Sequence, residues 1–117
     1  MDCIFCSIIK KESPAKIVYE NDNVIVFENI KPAAPIHLLI VPKKHIATVN
    51  EIKEEDKNLI GDLFIAAQEA ARLKNIKDTG YKLAINVGAG GGQEIFHIHI
   101  HLLGGWQNEA ERESSKV

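Results

Sequence analysis

Apolar and polar residues alternate in short blocks over the first third of the chain. Residues 17–19 and 24–27 are apolar and rich in β-branched side chains, and the polar residues 20–23 between them have the composition of a hairpin turn. Two prolines interrupt the pattern at residues 31–35, after which residues 37–41 form a run that is apolar apart from its histidine and that Pro42 ends. These blocks predict a β-hairpin followed by a buried third strand.

The middle of the chain has the period of a helix. Between residues 51 and 74, apolar side chains recur every three or four positions, at Ile60, Leu63, Phe64, Ala67 and Ala71. Acids at residues 54–56 lie near the start, where the helix dipole favours negative charge. We expect one long helix, ended by residues 78–80. Four further residues widen its apolar stripe, and they either pack against a second subunit or are buried in one chain: Leu59, Ala66, Ala70 and Leu73.

Two more strands are predicted in the last third of the chain. Residues 82–87 and 95–103 are the candidates, and a glycine-rich turn joins them. Short loops between strands and a single inserted helix favour an α+β domain, in which an antiparallel sheet is covered by helix on one face. We expect one domain over residues 1–117, with a polar tail at 107–117 that is partly disordered.

Composition narrows the class of protein. A chain of 117 residues has the size of one compact domain, and a net charge of -2 without a Lys/Arg-dense stripe argues against binding a long nucleic acid, although it allows a mononucleotide. No apolar run is long enough to predict a membrane span. The N-terminus lacks the features of a secretory signal, so we expect a cytoplasmic location. In that reducing compartment Cys3 and Cys6 would be thiols or metal ligands.

Three of the five histidines lie at alternate positions of the last predicted strand: His97, His99 and His101. A strand would direct them to one face, roughly 6.6 Å apart, and send the isoleucines between them to the core. Clustered imidazoles hold a metal ion, as in a metal-centred hydrolase, or act as nucleophile and acid on phosphorus, and both alternatives stay open. The glycine-rich segment 88–92 offers backbone N–H groups for a phosphate, although it lacks the ending of a P-loop.

The sequence H-I-H-I-H-L-L at residues 97–103 resembles the signature of the histidine triad (HIT) family. Residues 31–35 and 37–45 are also similar to that family, and the ending Gly104-Gly105-Trp106 most resembles its Hint branch. The resemblance covers residues 2–106. It implies a HIT-like antiparallel sheet of five or so strands, with one long helix and a short N-terminal helix, that continues across a homodimer.

For activity, the resemblance implies a hydrolase that cleaves purine nucleoside 5′-phosphoramidates to the monophosphate through a nucleotide bound covalently to His99. A dinucleoside polyphosphate hydrolase, a nucleotidyl transferase and a nucleotide-sensing adaptor are the alternatives. The catalytic residues that it implies are His99, His101, His97 and His37. Ordinary core packing is the alternative for the apolar members of the implied substrate-binding set, which is Asn86, Gln93, Asn29, Ile30, Phe27, Ile4, Phe5, Ile8, Leu39 and Trp106.

The cysteines gain partners from the same resemblance. Some family members bind zinc through four ligands that correspond to Cys3, Cys6, His45 and His97. Such a tetrahedral site would have a structural role, since it pins the N-terminus to the sheet, and no catalytic metal is expected. The alternative is that the two cysteines are small buried residues on an N-terminal helical turn.

Two residues depart from the family pattern, and the role of a third is open. Asn29 stands where many phosphoramidase-type members carry an acid that holds the ribose, and we expect an amide to keep that binding. Glu94 stands where they carry a serine near the leaving group, which leaves the preferred leaving group open. Trp106, the single tryptophan, either caps the core or shapes the leaving-group pocket of a partner subunit.

Overall fold

The computed structural model describes residues 3–114 and contains a five-stranded antiparallel sheet in the order β1-β2-β3-β5-β4. The strands are β1 (Ile17–Glu20), β2 (Val24–Glu28), β3 (Ile36–Pro42), β4 (Tyr81–Ala84) and β5 (Ile100–Gly104). The helices are α1 (Ile4–Ile9), the long α2 (Lys57–Leu73) and α3 (Glu109–Glu113). The predicted α+β class, the antiparallel sheet, the long helix and the short N-terminal helix are confirmed.

Helix α2 covers one face of the sheet. Its alanines permit a close approach, so Ala66 and Ala70 are buried against Val26, Ile40 and Leu102 of the central strands. For these two alanines, the alternative of burial within one chain is therefore the one that the structure shows, rather than packing against a second subunit. Phe64 follows the helical spacing of the apolar residues, but its side chain is 44% exposed. A helix turns about 100° per residue, which places residue 64 just outside the arc that faces the sheet.

Helix α1 covers part of the opposite face. Phe5 and Ile8 pack there against Ile25, Phe27 and Val41. The central strands β2 and β3 are consequently covered on both faces. This explains why their sequences are almost continuously apolar instead of alternating.

Three predicted boundaries were wrong. The last strand begins at Ile100 rather than at residue 95, because the N–H of Ile98 donates to the carbonyl of Ile46, 2.7 Å away, instead of joining the ladder with β4. Strand β4 correspondingly spans Tyr81–Ala84 rather than residues 82–87. Helix α2 begins at Lys57 after two short 3-10 turns and ends at Leu73, where Asn75 turns the chain with a φ of 60°.

The C-terminal tail contains the short helix α3, which Asn108 caps through a bond of 2.8 Å from the N–H of Glu111. Within residues 3–114, the tail that was expected to be partly disordered is thus helical over Glu109–Glu113. The remainder of that expectation, for residues 115–117, lies outside the described residues. Among the described residues, no helix has the length and apolar character needed to cross a membrane.

Candidate active site

The five histidines of the chain form one continuous row beside β5. The ring centroids of His45 and His97 are 4.8 Å apart, those of His99 and His101 are 5.0 Å apart, and that of His37 lies 5.1 Å from His101. Phe5 closes the gap in the middle, because its ring packs edge-on against both His97 and His99. The alternation of residues 97–101 produces this row, since Ile98 and Ile100 are turned into the protein interior.

His99 is held in one tautomer by the main chain. Its Nδ1 atom lies 2.8 Å from the carbonyl oxygen of His97, and because a carbonyl only accepts, Nδ1 must carry the hydrogen. Burial lowers the pKa of His99 below its ordinary value of 6.5, although the bond to that carbonyl acts in the opposite direction. At neutral pH the Nε2 atom therefore holds a free lone pair, and it forms no hydrogen bond within residues 3–114.

His101 and His37 form a second pair across strands β5 and β3. The Nε2 atom of His37 lies 2.9 Å from Nδ1 of His101. Burial and the neighbouring rings of His99 and His37 lower the pKa of His101 to about 4. Burial, with a smaller contribution from His99, also lowers the pKa of His37. Both rings are thus uncharged at neutral pH.

The other end of the row is a compact set of sulfur and nitrogen atoms. Sγ of Cys3 and Sγ of Cys6 lie 3.4 and 3.6 Å from Nδ1 of His97, while Nδ1 of His45 lies 3.1 Å from Nδ1 of His97 and 3.3 Å from Sγ of Cys6. All four atoms are within 4.8 Å of one another. A tetrahedral zinc ion separates its sulfur and nitrogen ligands by roughly 3.3 to 3.8 Å. This donor set therefore fits a bound metal ion.

His97 connects that set to the rest of the row. Its Nε2 atom donates to the carbonyl of Pro42, 2.7 Å away, which leaves the Nδ1 lone pair directed at Cys3, Cys6 and His45. Burial lowers the pKa of His97, so that lone pair is available at neutral pH. The carbonyl of the same residue accepts from His99. One residue thus links the metal-binding atoms and the free imidazole.

A glycine-rich loop between β4 and β5 is braced by two amide side chains. Gly88 and Gly92 have φ values of 70° and 85°, which a side chain would oppose. Asn86 donates from Nδ2 to the carbonyl of Gly91 at 2.8 Å. The buried amide of Gln93 accepts from the N–H of Gly88 at 2.8 Å and donates to the carbonyls of Ala47 and Ile95 at 2.8 and 3.0 Å.

Comparisons with known proteins agree closely. A family model described as the scavenger mRNA decapping enzyme C-terminal binding domain matches residues 2–116. Protein HitA of Neisseria gonorrhoeae is 45% identical over 88% of this chain and 95% of the relative. The purine nucleoside phosphoramidase of Escherichia coli is 43% identical over 89% of this chain and 87% of the relative. The crystal structure of a HIT family hydrolase from Legionella pneumophila superposes with a TM-score of 0.87 at 48% identity, covering 91% of this chain and 95% of that one.

The chain belongs to the histidine triad (HIT) family. The hydrolases among its relatives and structural neighbours show that it is a HIT-family hydrolase. A zinc-bound HIT family protein from Mycobacterium smegmatis is also similar, with a TM-score of 0.82 and 28% identity over 95% of this chain and 80% of that one.

The structure of this HIT protein separates the residues predicted to bind base and ribose into two groups. Phe5, Ile8, Phe27 and Leu39 are almost fully buried in the cluster under α1. Ile4 and Ile30 are 48% and 91% exposed, so their side chains are accessible to a ligand. Asn29 lies beside the histidine row, with Nδ2 3.4 Å from Nε2 of His37. Their contacts with a nucleotide stay predictions.

Trp106 lies apart from the histidine row in the described chain. It is half-buried in a cleft that it lines together with Tyr81 and Arg112, near α3. Its role at the leaving-group pocket of a partner subunit stays a prediction, because that pocket would form only in a dimer. Gln93, which the resemblance placed in the substrate-binding set at the phosphate or leaving group, uses both the oxygen and the nitrogen of its amide to brace the loop in this structure.

The groups that sequence reasoning missed are backbone atoms. The carbonyls of Pro42 and His97 and the N–H of Ala33 each bond a histidine ring and so fix where its hydrogen lies. Every residue has such groups, so no residue type signals which of them will face an imidazole. The segment with two prolines at residues 31–35 was the nearest indication of such a backbone group, since it predicted a turn before His37.

Proposed function

We propose that this HIT-family hydrolase cleaves the P–N bond of purine nucleoside 5′-phosphoramidates through a nucleotide bound covalently to His99. The observation that supports this most directly is the bond from Nδ1 of His99 to the carbonyl of His97, which leaves Nε2 as an unprotonated nucleophile at neutral pH. The phosphoramidase activity named for the Escherichia coli relative supports the substrate class.

In the proposed reaction, the Nε2 lone pair of His99 forms a bond to phosphorus. The P–N bond of the substrate breaks, and the departing nitrogen keeps the electron pair and takes a proton from water. The water that gave up this proton is left as hydroxide. A second water then attacks phosphorus and loses a proton to that hydroxide, while the bond to His99 breaks and its electron pair returns to Nε2. The products are an amine, the nucleoside monophosphate and a regenerated imidazole.

Backbone and imidazole N–H groups would stabilise the phosphoryl oxygens during both steps. In the loop that contains Gly88 and Gly92, the adjacent N–H groups of Ala89 and Gly90 form no hydrogen bond with other described residues, and such neighbouring donors favour an anion. Asn86 and Gln93 would hold that loop in shape, while His101 would donate to the phosphate. Ile4 and Ile30 are the accessible apolar side chains proposed for the base, with Asn29 at the ribose.

We assign the set Cys3, Cys6, His45 and His97 to a zinc ion with a structural role. With zinc bound, the four residues would join α1 to the segment before β5 and so orient the carbonyl of His97 that holds His99. His97 can offer only its Nδ1 atom to the ion, because its Nε2 atom donates a hydrogen bond to the carbonyl of Pro42. A reducing compartment such as the cytoplasm would keep both thiols available.

A homodimer completes the proposal. Phe64 and Ile65 on α2 are 44% and 61% exposed, and adjacent large apolar residues on a surface helix are typical of an interface. We propose that this face packs on a second copy of the chain. Ile65→Glu should convert the dimer to a monomer in analytical ultracentrifugation, whereas Lys77→Glu, a change of charge on an exposed loop, should not.

The test of function is turnover of adenosine 5′-phosphoramidate by wild type and by His99→Ala. Wild type should release adenosine monophosphate, and the variant should lose about 10⁴-fold or more in kcat while still binding adenosine monophosphate. Wild-type binding without turnover would instead support a nucleotide sensor. Turnover of diadenosine polyphosphate alone would support a polyphosphate hydrolase.

A further inference from the structure

The turn before β3 contacts His37 through a backbone donor. The N–H of Ala33 lies 2.9 Å from Nδ1 of His37. An amide N–H only donates, so Nδ1 of His37 is the acceptor. A neutral imidazole carries a single N–H, which must then be on Nε2. Protonation of His37 would place two hydrogens between Nδ1 and Ala33, so the ring stays uncharged while the turn keeps this bond.

The same reasoning passes from His37 to His101. Only one hydrogen fits between Nε2 of His37 and Nδ1 of His101, which are 2.9 Å apart, and it belongs to His37. Nδ1 of His101 is therefore an acceptor, and the hydrogen of His101 lies on Nε2. Within residues 3–114 the one fully buried side-chain nitrogen or oxygen without a partner is Oγ1 of Thr48, so Nε2 of His101, which forms no hydrogen bond there, is at least partly accessible.

Asn29 is consistent with this assignment. The N–H of Lys31 donates to Oδ1 of Asn29 at 2.9 Å, which orients the amide so that Nδ2 faces Nε2 of His37 at 3.4 Å. Two N–H groups meet there, so this contact is not a hydrogen bond. A carboxylate at position 29 would accept from His37 and compete with His101. The neutral Asn29 leaves the bond from His37 to His101 without a competitor.

We infer that the backbone N–H of Ala33 is a positioning group, which sets the tautomers of His37 and His101 and so presents His101 beside His99 as an uncharged Nε2–H donor. Such a donor binds a phosphoryl oxygen but does not transfer its hydrogen, since that would leave an imidazolate. The departing nitrogen of the substrate consequently takes its proton from water. This inference rests on the proposed function only for the identity of the ligand.

The first experiment is nitrogen NMR of histidine-labelled wild type without substrate, near neutral pH. His37→Gln and His101→Gln assign the two rings. We expect an acceptor-type Nδ1 and a protonated Nε2 on both His37 and His101. A hydrogen on Nδ1 of either ring, or an imidazolium signal from either ring, would overturn the inference. This arm needs no turnover, so its outcome is independent of whether phosphoramidates are substrates.

The second experiment removes the donor and little else. Ala33→lactic acid replaces the backbone N–H by an ester oxygen, and Ala34→lactic acid is the matched control at a neighbour whose N–H has no partner in the described chain. We expect mixed tautomers of His37 and His101 and a fall in kcat of about fivefold for the Ala33 ester only, the size of one lost hydrogen bond. Equal effects of the two esters, or no effect at Ala33, would refute the role.

Discussion

Nδ1 of His99 donates a hydrogen bond of 2.8 Å to the backbone carbonyl of His97. His97 is at the same time one of the four residues that could hold a metal ion. The conformation of the free imidazole is thus tied to the atoms that surround the metal-binding set. A change that loosens the metal-binding set should therefore also change the orientation of the His99 ring, although the two groups have different chemistry.

Removal of the metal should affect stability before chemistry. We expect purified protein to contain zinc, and a chelator or the substitution Cys6→Ser to lower Tm on the order of 10 °C, since structural zinc contributes directly to folding. Differential scanning calorimetry checks this, with turnover measured at a temperature where the stripped protein remains folded. Most activity should persist there. Complete loss of activity at an unchanged Tm would point to a catalytic ion.

Acid should destabilise the protein in a window that His101 helps to define. Its pKa is about 4 in the folded state against an ordinary value of 6.5, so the unfolded chain takes up the additional proton between these values. Stability is therefore lost as the pH falls from 6.5 toward 4. In urea unfolding at a series of pH values, His101→Gln should lose stability less steeply across this window, by about one proton. Parallel curves for variant and wild type would contradict the assignment.

Gln93 should stabilise the glycine-rich loop through the hydrogen bonds of its amide, which a carboxylate of the same size cannot all replace. Gln93→Glu removes the N–H groups that reach the carbonyls of Ala47 and Ile95 and places a charged side chain at a buried position, which together cost about 2 kcal/mol. The matched control is Gln68→Glu, the same change on the exposed side of α2. Chemical denaturation should show a large loss for residue 93 and almost none for residue 68. Similar small losses at both positions would contradict the bracing role.

The β2 and β3 strands could be predicted to within a few residues, and α2 as one long helix, because their apolar patterns are set by local burial. The row at His99 and His101 could be predicted for the same reason, from alternation alone. The start of β5 could not, since it depends on Ile98 bonding Ile46, a residue distant in sequence. The metal-binding set required a family resemblance, because Cys3 and His97 are brought together only by the whole fold.

Glu94 should influence the choice of leaving group. Its side chain is exposed and forms no ion pair with other described residues, and the family resemblance places this position near the leaving group. Glu94→Gln should lower KM about fivefold for substrates with an anionic leaving group, such as a dinucleoside polyphosphate, and change it little for a neutral amine. Glu12→Gln, another exposed acid, is the control. Added salt should reduce the difference, and an equal effect on both substrate classes would contradict this role.

The most direct test of the central claim is the intact mass of the protein during turnover of adenosine 5′-phosphoramidate, stopped by rapid acid-free denaturation. The account predicts an added adenylyl group on wild type, mapped by peptide sequencing to His99 and missing from His99→Ala. Turnover without any adduct, or an adduct on another residue, would contradict the assignment of Nε2 of His99 as the nucleophile.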